Sequence, residues 1–220
     1  MALKEVPTGI DREGKEPVRL FDSDFLEFFT HISPLVVLAV WVPVVTYFML
    51  RAILITTGNW VYIPVSFLIG LFLWTLSEYL LHRFVFHFHP VDPSPRVERF
   101  FFMIHGVHHY QPRSKTRLVM PPMLSIPLAA LFYGLFYWLI AVMFHRSYIV
   151  APLFAGFIFG YICYDMLHYS IHHFSLKGKF FRMIRKHHMA HHFKTPDLLF
   201  GVSSPLWDHI FHTIGRENME

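Results

Sequence analysis

Four stretches of the sequence carry no charged residue, and each is about as long as a membrane-crossing helix. They are residues 32–50, 61–77, 122–144 and 147–164. A helix needs roughly 17–25 mainly apolar residues to cross a hydrocarbon core of about 30 Å. The alternative is a soluble bundle of four buried helices, but soluble helices usually keep a polar face. The sequence therefore predicts an all-α membrane protein with four transmembrane helices.

The apolar stretches also divide the chain. Residues 1–30 are predicted to be a flexible tail and membrane-approach segment, not a signal peptide, because no small-residue cleavage site follows the first apolar stretch. Residues 31–220 are predicted to form one integral membrane domain. Its spans are expected at about 32–50, 61–81, 122–144 and 147–167, and its cap at 82–121 and 168–220.

Lysine and arginine placement predicts the orientation of these spans. Of the 19 Lys and Arg residues, 17 lie in the tail and the cap, and only Arg51 and Arg146 lie in the loops on the other face. Cytoplasmic loops carry the excess of positive charge, so we expect both termini and the cap in the cytoplasm. The net charge of +4 would then face anionic headgroups. No nucleic-acid partner is expected.

Histidines cluster in the two segments predicted to form the cap. Residues at i, i+3 and i+4 share one face of a helix, so His105, His108 and His109 are expected to point to one place. The same spacing joins His188, His191 and His192, and His168 and His172 form an i, i+4 pair. The pair His82 and His87 differs, because residues five apart lie about 140° from each other on a regular helix. That pair requires a helix end, a π-bulge or ligation of different ions.

So many imidazoles on one face predict metal ions. If protonated they would repel one another, and if neutral each would need a donor and an acceptor partner. Ten ligands are too many for one ion, so we predict a dinuclear site with about five imidazoles and an open position at each ion. The predicted ligands are His82, His87, His105, His108, His109, His168, His172, His188, His191 and His192.

The type of ligand narrows the choice of metal. Imidazole suits zinc, iron, copper and nickel, and structural zinc usually closes its shell with four ligands. The only cysteine, Cys163, lies inside an apolar stretch, so neither a disulfide within the chain nor a thiolate metal site is expected. Iron is therefore expected as the native metal of both sites, although a purified or crystallised form could contain zinc.

Four neighbouring residues are candidates for additional ligands or for partners of the ligands. Glu78 stands four residues before His82, and Asp165 three before His168. A carboxylate in such a position can hold a ligating imidazole in one tautomer; the alternative is a charge that ends a span at the headgroups. His173 and His187 extend the clusters but break their spacing, so each is either a ligand or a hydrogen-bonded neighbour.

The histidine spacings resemble those of the membrane fatty acid hydroxylase and sterol desaturase superfamily. Its pattern of H-x4-H, H-x-x-H-H, H-x3-H-H and H-x-x-H-H reads here as HRFVFH, HGVHH, HYSIHH and HHMAHH. The sequences EYLLHRFVFH, RLVMPP, YDMLHYSIHH and FGVSSPLWDHIFHT are similar to the fatty acid 2-hydroxylase branch of that superfamily. The resemblance runs from about Phe21 to Thr213.

The resemblance implies an activity, a location and partners. It implies an endoplasmic reticulum monooxygenase that hydroxylates C2 of long or very-long-chain acyl groups in sphingolipids or ceramides, with dioxygen and electrons from cytochrome b5 and its reductase. Many relatives carry a cytochrome b5 domain, but the haem-binding sequence His-Pro-Gly-Gly does not occur here. A short form with a separate cytochrome b5 partner is therefore expected, and the basic segment 177–194 either docks that partner or contacts headgroups.

Two other functions remain open from the sequence. One is a different oxidase of the superfamily that acts on a sterol, a sphingoid base or a carotenoid. The other is a non-catalytic zinc-binding membrane protein, such as a scaffold or transporter. Transport favours ionisable residues within the spans, and the four uncharged stretches have none.

Overall fold

The computed structural model describes residues 16–58 and 60–215. Within these ranges the chain forms helices and no strands. Four of the helices are long and apolar enough to cross a membrane: Pro34–Ile55, Tyr62–Phe86, Pro122–Met143 and Ser147–His173. The predicted all-α membrane fold is therefore confirmed, and the chain is a multi-pass membrane protein.

The elements follow one another as two pairs of spans, each followed by shorter helices. They are α1 (Asp24–Phe28), α2 (Pro34–Ile55), α3 (Tyr62–Leu81), α4 (Pro95–Phe101), α5 (Val107–Tyr110), α6 (Pro122–Phe136), α7 (Ser147–His173), α8 (Lys179–Phe193) and α9 (Leu206–Ile210). Three π-helical segments continue α3, α4 and α6: His82–Phe86, Phe102–Gly106 and Tyr137–Met143.

Proline marks where two of the spans begin. Pro34 and Pro122 occupy the first turn of α2 and α6, where the missing N–H costs no helical hydrogen bond and the fixed φ suits a helix. Helix α6 begins directly after the first cap segment, and α2 begins after Ile32, whose amide donates to Thr116 of that segment. The second and fourth spans return to the cap, and there the histidines are found.

Helix α7 is the centre of the bundle. In an apolar stretch of 18 residues, 78% of α7 is buried, whereas the corresponding share in the other three spans is 11–33%. Helix α7 is therefore surrounded by the other helices. It packs against α2 and α3. The backbones approach closely at two glycines, because a Cβ on Gly156 would lie 1.9 Å from the Phe67 carbonyl oxygen and one on Gly70 1.9 Å from that of Leu153. Small residues permit this approach between helices in membranes.

An N-terminal strap, residues 16–32, packs against the cap, although most of it was expected to be part of a flexible tail. The Val18 amide donates to the Gln111 side chain at 2.9 Å, and the Ile32 amide donates to the Thr116 carbonyl at 2.8 Å. Glu27 forms an ion pair with Arg117. The strap is thus held at several points along its length. Residues 1–15 of the expected tail lie outside the described residues.

Candidate metal centre

The predicted histidine ligands converge into two groups of five. Within each group the candidate ligand nitrogens all lie within 4.8 Å of one another. Cluster A contains His82, His87, His105, His109 and His191, and cluster B contains His108, His168, His172, His188 and His192. Each group of five could hold a metal ion.

Helix geometry explains how the side chains are divided between the clusters. The i, i+4 pairs stay together, because His105 and His109 both lie in cluster A and His188 and His192 both lie in cluster B. The residue between the members of each pair goes to the other cluster: His108 joins B and His191 joins A. The expectation that each i, i+3, i+4 group converges on one point therefore differs from the structure.

A π-helical turn brings the fourth pair of histidines together. The amide of His87 donates to the carbonyl of His82 at 3.0 Å, the i to i+5 bond of a π-helix. The extra residue in this turn lets the two rings, five positions apart, approach to 4.9 Å between centroids. Of the three arrangements that the spacing left open, the structure has the π-bulge.

Two rings of cluster A are oriented by backbone carbonyls. Nδ1 of His82 donates to the Phe200 carbonyl at 2.5 Å, and Nδ1 of His191 donates to the Leu198 carbonyl at 2.7 Å. With the proton on Nδ1, the lone pair is on Nε2, which faces the cluster. Such outer hydrogen bonds fix the tautomer and ring angle of ligating histidines.

The loop that supplies these carbonyls, residues 198–203, is fixed by two buried carboxylates. Asp208 accepts the amides of Phe200 and Gly201, each at 2.8 Å. Glu78 accepts the amides of Val202 and Ser203, each at 2.8 Å, and also the Ser203 hydroxyl.

The backbone of the same loop is strained. Leu199 has a φ of 62°, in the left-handed region that residues with a Cβ rarely adopt. The carboxylate hydrogen bonds to the four residues that follow Leu199 help to maintain this conformation, and such strain is common at functional sites.

In cluster B the contacts converge on one nitrogen. Nε2 of His188 lies 2.9 Å from Nε2 of His168, 2.9 Å from that of His172 and 3.1 Å from that of His192. One imidazole nitrogen carries either one proton or one lone pair. A hydrogen-bond network therefore cannot satisfy three such contacts, but a shared cation can.

The nitrogen separations also fit a particular coordination geometry. With a metal–nitrogen distance of about 2.1 Å, two ligands at right angles lie about 3.0 Å apart, and two ligands of a tetrahedron about 3.4 Å. The closest Nε2 pairs in both clusters are separated by 2.9–3.1 Å. These distances are shorter than those expected for a closed tetrahedral zinc site and would suit five imidazoles arranged at roughly right angles around one ion.

Burial keeps the rings in the cap neutral. It lowers the pKa of His87 to about 2 and that of His191 to about 4. Burial, followed by the charge of neighbouring imidazoles, also lowers the pKa of five further rings well below the ordinary value: His105, His108, His109, His188 and His192. At neutral pH these rings are uncharged, so each has a lone pair available for a cation.

The four additional candidates lie outside both clusters. Glu78 binds the 198–203 loop instead of His82, and Asp165 accepts the Met120 amide at 3.2 Å; both are buried instead of being exposed at headgroups. Nε2 of His187 contacts Asp208 at 2.9 Å. The ring of His173 lies 4.4 Å from that of Tyr169. Thus Glu78 and His187 act on the loop beside cluster A, the first directly and the second through Asp208.

A cavity of about 330 Å³ lies between the cap and the ends of the spans. One wall contains His105 from cluster A and His108 and His168 from cluster B. Most of the remaining lining is apolar and comes from α3, α6, the π-helical segments after α3 and α4, and the strap, including Leu81, Val85, Phe86, Met103, Leu124, Leu128, Leu20 and Phe21. Both clusters therefore border one apolar space.

Asp208 was not identified from the sequence, although a signal was present. It is the only acidic residue in the segment 198–214, which has no Lys or Arg, and its side chain is fully buried. A lone carboxylate in an apolar segment requires several donors when it is buried. The Glu27–Arg117 pair was also missed, because its partners are ninety residues apart and neither lies near a histidine motif.

The chain is similar to known proteins in sequence and in structure. A family model described as fatty acid hydroxylase matches residues 67–213. The chain is 42% identical over 201 residues to the ceramide very long chain fatty acid hydroxylase SCS7 of Saccharomyces cerevisiae, covering 91% of this chain and 50% of the yeast protein. It is 37% identical to fatty acid 2-hydroxylase of Homo sapiens, covering 91% of this chain and 58% of the human protein.

Two further matches cover more of the related chain. The dihydroceramide fatty acyl 2-hydroxylase FAH1 of Arabidopsis thaliana is 36% identical, over 91% of this chain and 81% of the plant protein. A solved structure described as full length scs7p, with only the hydroxylase domain visible, has a TM-score of 0.80 and 42% identity; the match covers 86% of this chain and 69% of that one. The chain spans little more than half the length of the yeast and human relatives.

Proposed function

Since the chain belongs to the fatty acid hydroxylase family, we propose that it hydroxylates C2 of long or very-long-chain acyl groups in ceramide-type sphingolipids. The relatives at 36–42% identity are named as hydroxylases of fatty acyl chains, two of them with ceramide or dihydroceramide in their names. These names favour an acyl-chain substrate over a sterol or carotenoid. The shared family makes an enzyme a better proposal than a zinc-binding scaffold.

One observation carries the proposal: two clusters of five histidines border the same apolar cavity. A metal site alone fits many functions, and an apolar slot alone fits any lipid-binding protein. Together they fit chemistry on an unactivated hydrocarbon, because a C–H bond resists acids, bases and nucleophiles. Iron in both clusters would supply the dioxygen chemistry that such a bond requires. The ten clustered histidines are the proposed ligands.

The protein residues have separate tasks in this reaction. The carbonyls of Leu198 and Phe200 orient two of the imidazoles. The apolar cavity holds the acyl chain with C2 near the clusters and excludes bulk water. The net change consumes the lipid, one dioxygen, two electrons and two protons, and yields the 2-hydroxy lipid and one water. We propose the R epimer, from the resemblance to the 2-hydroxylase branch.

The electrons need a donor, and we propose cytochrome b5 with its reductase. This partner implies a location in the endoplasmic reticulum, with both termini and the cap in the cytoplasm. The excess of Lys and Arg in the tail and cap supports this orientation. Exposed cations at Lys177, Lys179 and Arg182 offer a surface for an acidic partner.

Expression in a host that lacks its own 2-hydroxylase tests the function. Mass spectrometry of total sphingolipids should reveal 2-hydroxy acyl chains only in cells that express this chain. Acyl chains that stay unmodified while the sterol profile changes would contradict the proposal. Metal analysis of the purified protein, with turnover supported by reductase, cytochrome b5 and NAD(P)H, tests the iron and the donor. Two metals per chain without any turnover would favour a non-catalytic zinc protein.

A further inference from the structure

We infer that Arg117, paired with Glu27 of the strap, binds the uncharged headgroup of a ceramide-type lipid by donating hydrogen bonds to its hydroxyl or amide oxygens. The inference rests on the proposed function and adds to it a residue that selects the chemical form of the substrate. It predicts a preference for an N-acylated sphingoid lipid over a free fatty acid, whose headgroup is a carboxylate.

Arg117 has hydrogen-bond donors that remain unused within the described residues. Its Nη2 donates to Glu27 and to Nε2 of His31, the latter at 3.0 Å. Its Nε and Nη1 are buried and have no partner in the part of the chain that the structure describes. A guanidinium has five N–H groups, so three remain unmatched. Buried donors without partners cost free energy, which a ligand oxygen would offset.

These donors belong to a residue that lines the cavity. Arg117 lines it together with Phe29 and Thr30 of the strap, and the histidines of both clusters line it elsewhere. Met120, three residues further on, donates its amide to Asp165 near the end of α7. An extended chain spans at most about 3.6 Å per residue, so the backbones of Arg117 and Met120 are within about 11 Å. Because Arg117 and the histidines His105, His108 and His168 line the same cavity, a lipid headgroup at Arg117 could extend its acyl chain past the clusters.

The position along the membrane normal suits a headgroup. Arg117 precedes the start of α6 by five residues, and Glu27 precedes the start of α2 by seven. Helix α6 begins directly after the first cap segment and α2 after the strap that contacts this segment, so the pair lies on the side of the spans where headgroups would meet the hydrocarbon. A lipid entering from the bilayer would keep its polar end at this level.

The charge of the site favours a neutral acceptor. Burial alone would raise the pKa of Glu27. The hydrogen bonds from the Phe21 and Leu20 amides and the charge of Arg117 outweigh burial, so the pKa is lowered overall. Glu27 is therefore ionised at neutral pH and compensates the guanidinium. A second carboxylate would bring uncompensated negative charge into a buried site, whereas hydroxyl and amide oxygens would not.

Equilibrium binding to the metal-loaded protein in lipid nanodiscs tests this inference. The probes are a radiolabelled ceramide and the free fatty acid of the same acyl chain. Arg117→Met should weaken ceramide binding about tenfold, since a hydrogen bond to a charged group is lost. Fatty acid binding should weaken as well, because Glu27 then lacks its counter-charge. Glu27→Gln should tighten fatty acid binding relative to ceramide, because the guanidinium then lacks its counter-charge.

The matched control is Arg113→Met, at an exposed arginine four residues earlier that does not line the cavity; its affinity for each probe should equal that of the wild type. Hydrogen exchange at the Leu20 and Phe21 amides, which bond to Glu27, reports whether the strap stays docked. If Arg117→Met releases the strap, the inference is judged from the binding of ceramide and fatty acid to Glu27→Gln alone. With the strap docked, an unchanged ceramide affinity in Arg117→Met, or an unchanged ceramide-to-acid ratio in Glu27→Gln, overturns the inference, even if C2 hydroxylation is found. Ceramide binding without hydroxylation would instead contradict the proposed function.

Discussion

Clusters A and B contain the same number and type of side chain, but their rings are oriented in different ways. In cluster A, backbone carbonyls of the 198–203 loop accept hydrogen bonds from Nδ1 of His82 and His191. In cluster B, Nδ1 of His108, His168, His188 and His192 is buried and has no partner among the described residues. Hydrogen bonds thus orient rings of cluster A, whereas the rings of cluster B depend on helix packing.

The difference bears on what each cluster requires from a bound ion. Each buried N–H without an acceptor costs about 1–3 kcal/mol, so cluster B has an unfavourable contribution that cluster A largely avoids. Ligation of the opposite nitrogen can offset this cost. We therefore expect the protein around cluster B to depend on its metal more than the protein around cluster A does.

Removal of one ligand from each cluster is the strongest test. His109→Ala removes a ring from cluster A, and His172→Ala removes one from cluster B. Each should lower C2 hydroxylation by more than about a hundredfold, which exceeds the cost of losing an outer hydrogen bond. Each should also reduce bound metal from two ions to one, measured by elemental analysis. His145→Ala, at the opposite end of the spans, should match the wild type. Loss of both ions in either variant would contradict two separate sites.

Asp208→Asn should disturb the 198–203 loop that orients rings of cluster A and leave cluster B unchanged. The amide nitrogen of the asparagine faces one of the two backbone amides, of Phe200 or of Gly201, as donor against donor, so the 198–203 loop loses one of these hydrogen bonds and its fixed position. Metal affinity should fall about 10–100-fold at cluster A only. A metal titration would then show one tight and one weakened site. Equal weakening of both sites would mean that the loop does not act on cluster A alone.

Metal removal should loosen the two regions unequally. After chelation, backbone hydrogen exchange near His188 in α8 should become about tenfold faster, because the unfavourable N–H groups are no longer offset. The amides of Phe200 and Gly201 should change less, since Asp208 still accepts them. Mass-spectrometric exchange with and without metal checks this. If exchange after chelation increased more in the loop than in α8, the proposal that cluster B depends more on its metal than cluster A would be wrong.

Glu78→Gln should have the smallest effect. The glutamine oxygen can still accept the Val202 and Ser203 amides, and its amide can donate to the Ser203 hydroxyl. Metal affinity at cluster A should therefore fall only about two- to threefold by the same titration. A loss as large as that of Asp208→Asn would show that the charge of Glu78, and not its hydrogen bonds, supports the loop.

Local sequence patterns predicted the spans well and the distribution of the histidines only in part. The uncharged stretches identified the four spans because hydrocarbon imposes composition and length together. The final span continues to His173, past the expected end at 167, because the backbone remains helical where the apolar run stops. The spacing of five between His82 and His87 correctly pointed to a π-bulge as one of three options.

The remaining features depend on contacts between distant parts of the chain. Periodicity along one helix cannot show that His108 and His191 cross to the other cluster, because this requires the relative placement of α5, α7 and α8. The partners of Glu78 are more than 120 residues away. A short spacing to His82 was therefore a poorer guide than the need of a buried carboxylate for several donors.

The position of the 198–203 loop after the last histidine ligand has a genetic consequence. A premature stop codon between residues 194 and 198 would leave all ten clustered imidazoles encoded. The shortened product would nevertheless lack the two carbonyls that aim His82 and His191, along with Asp208. The presence of all ten histidines in a sequence is thus a poor indicator of an active protein when the segment that follows them is missing.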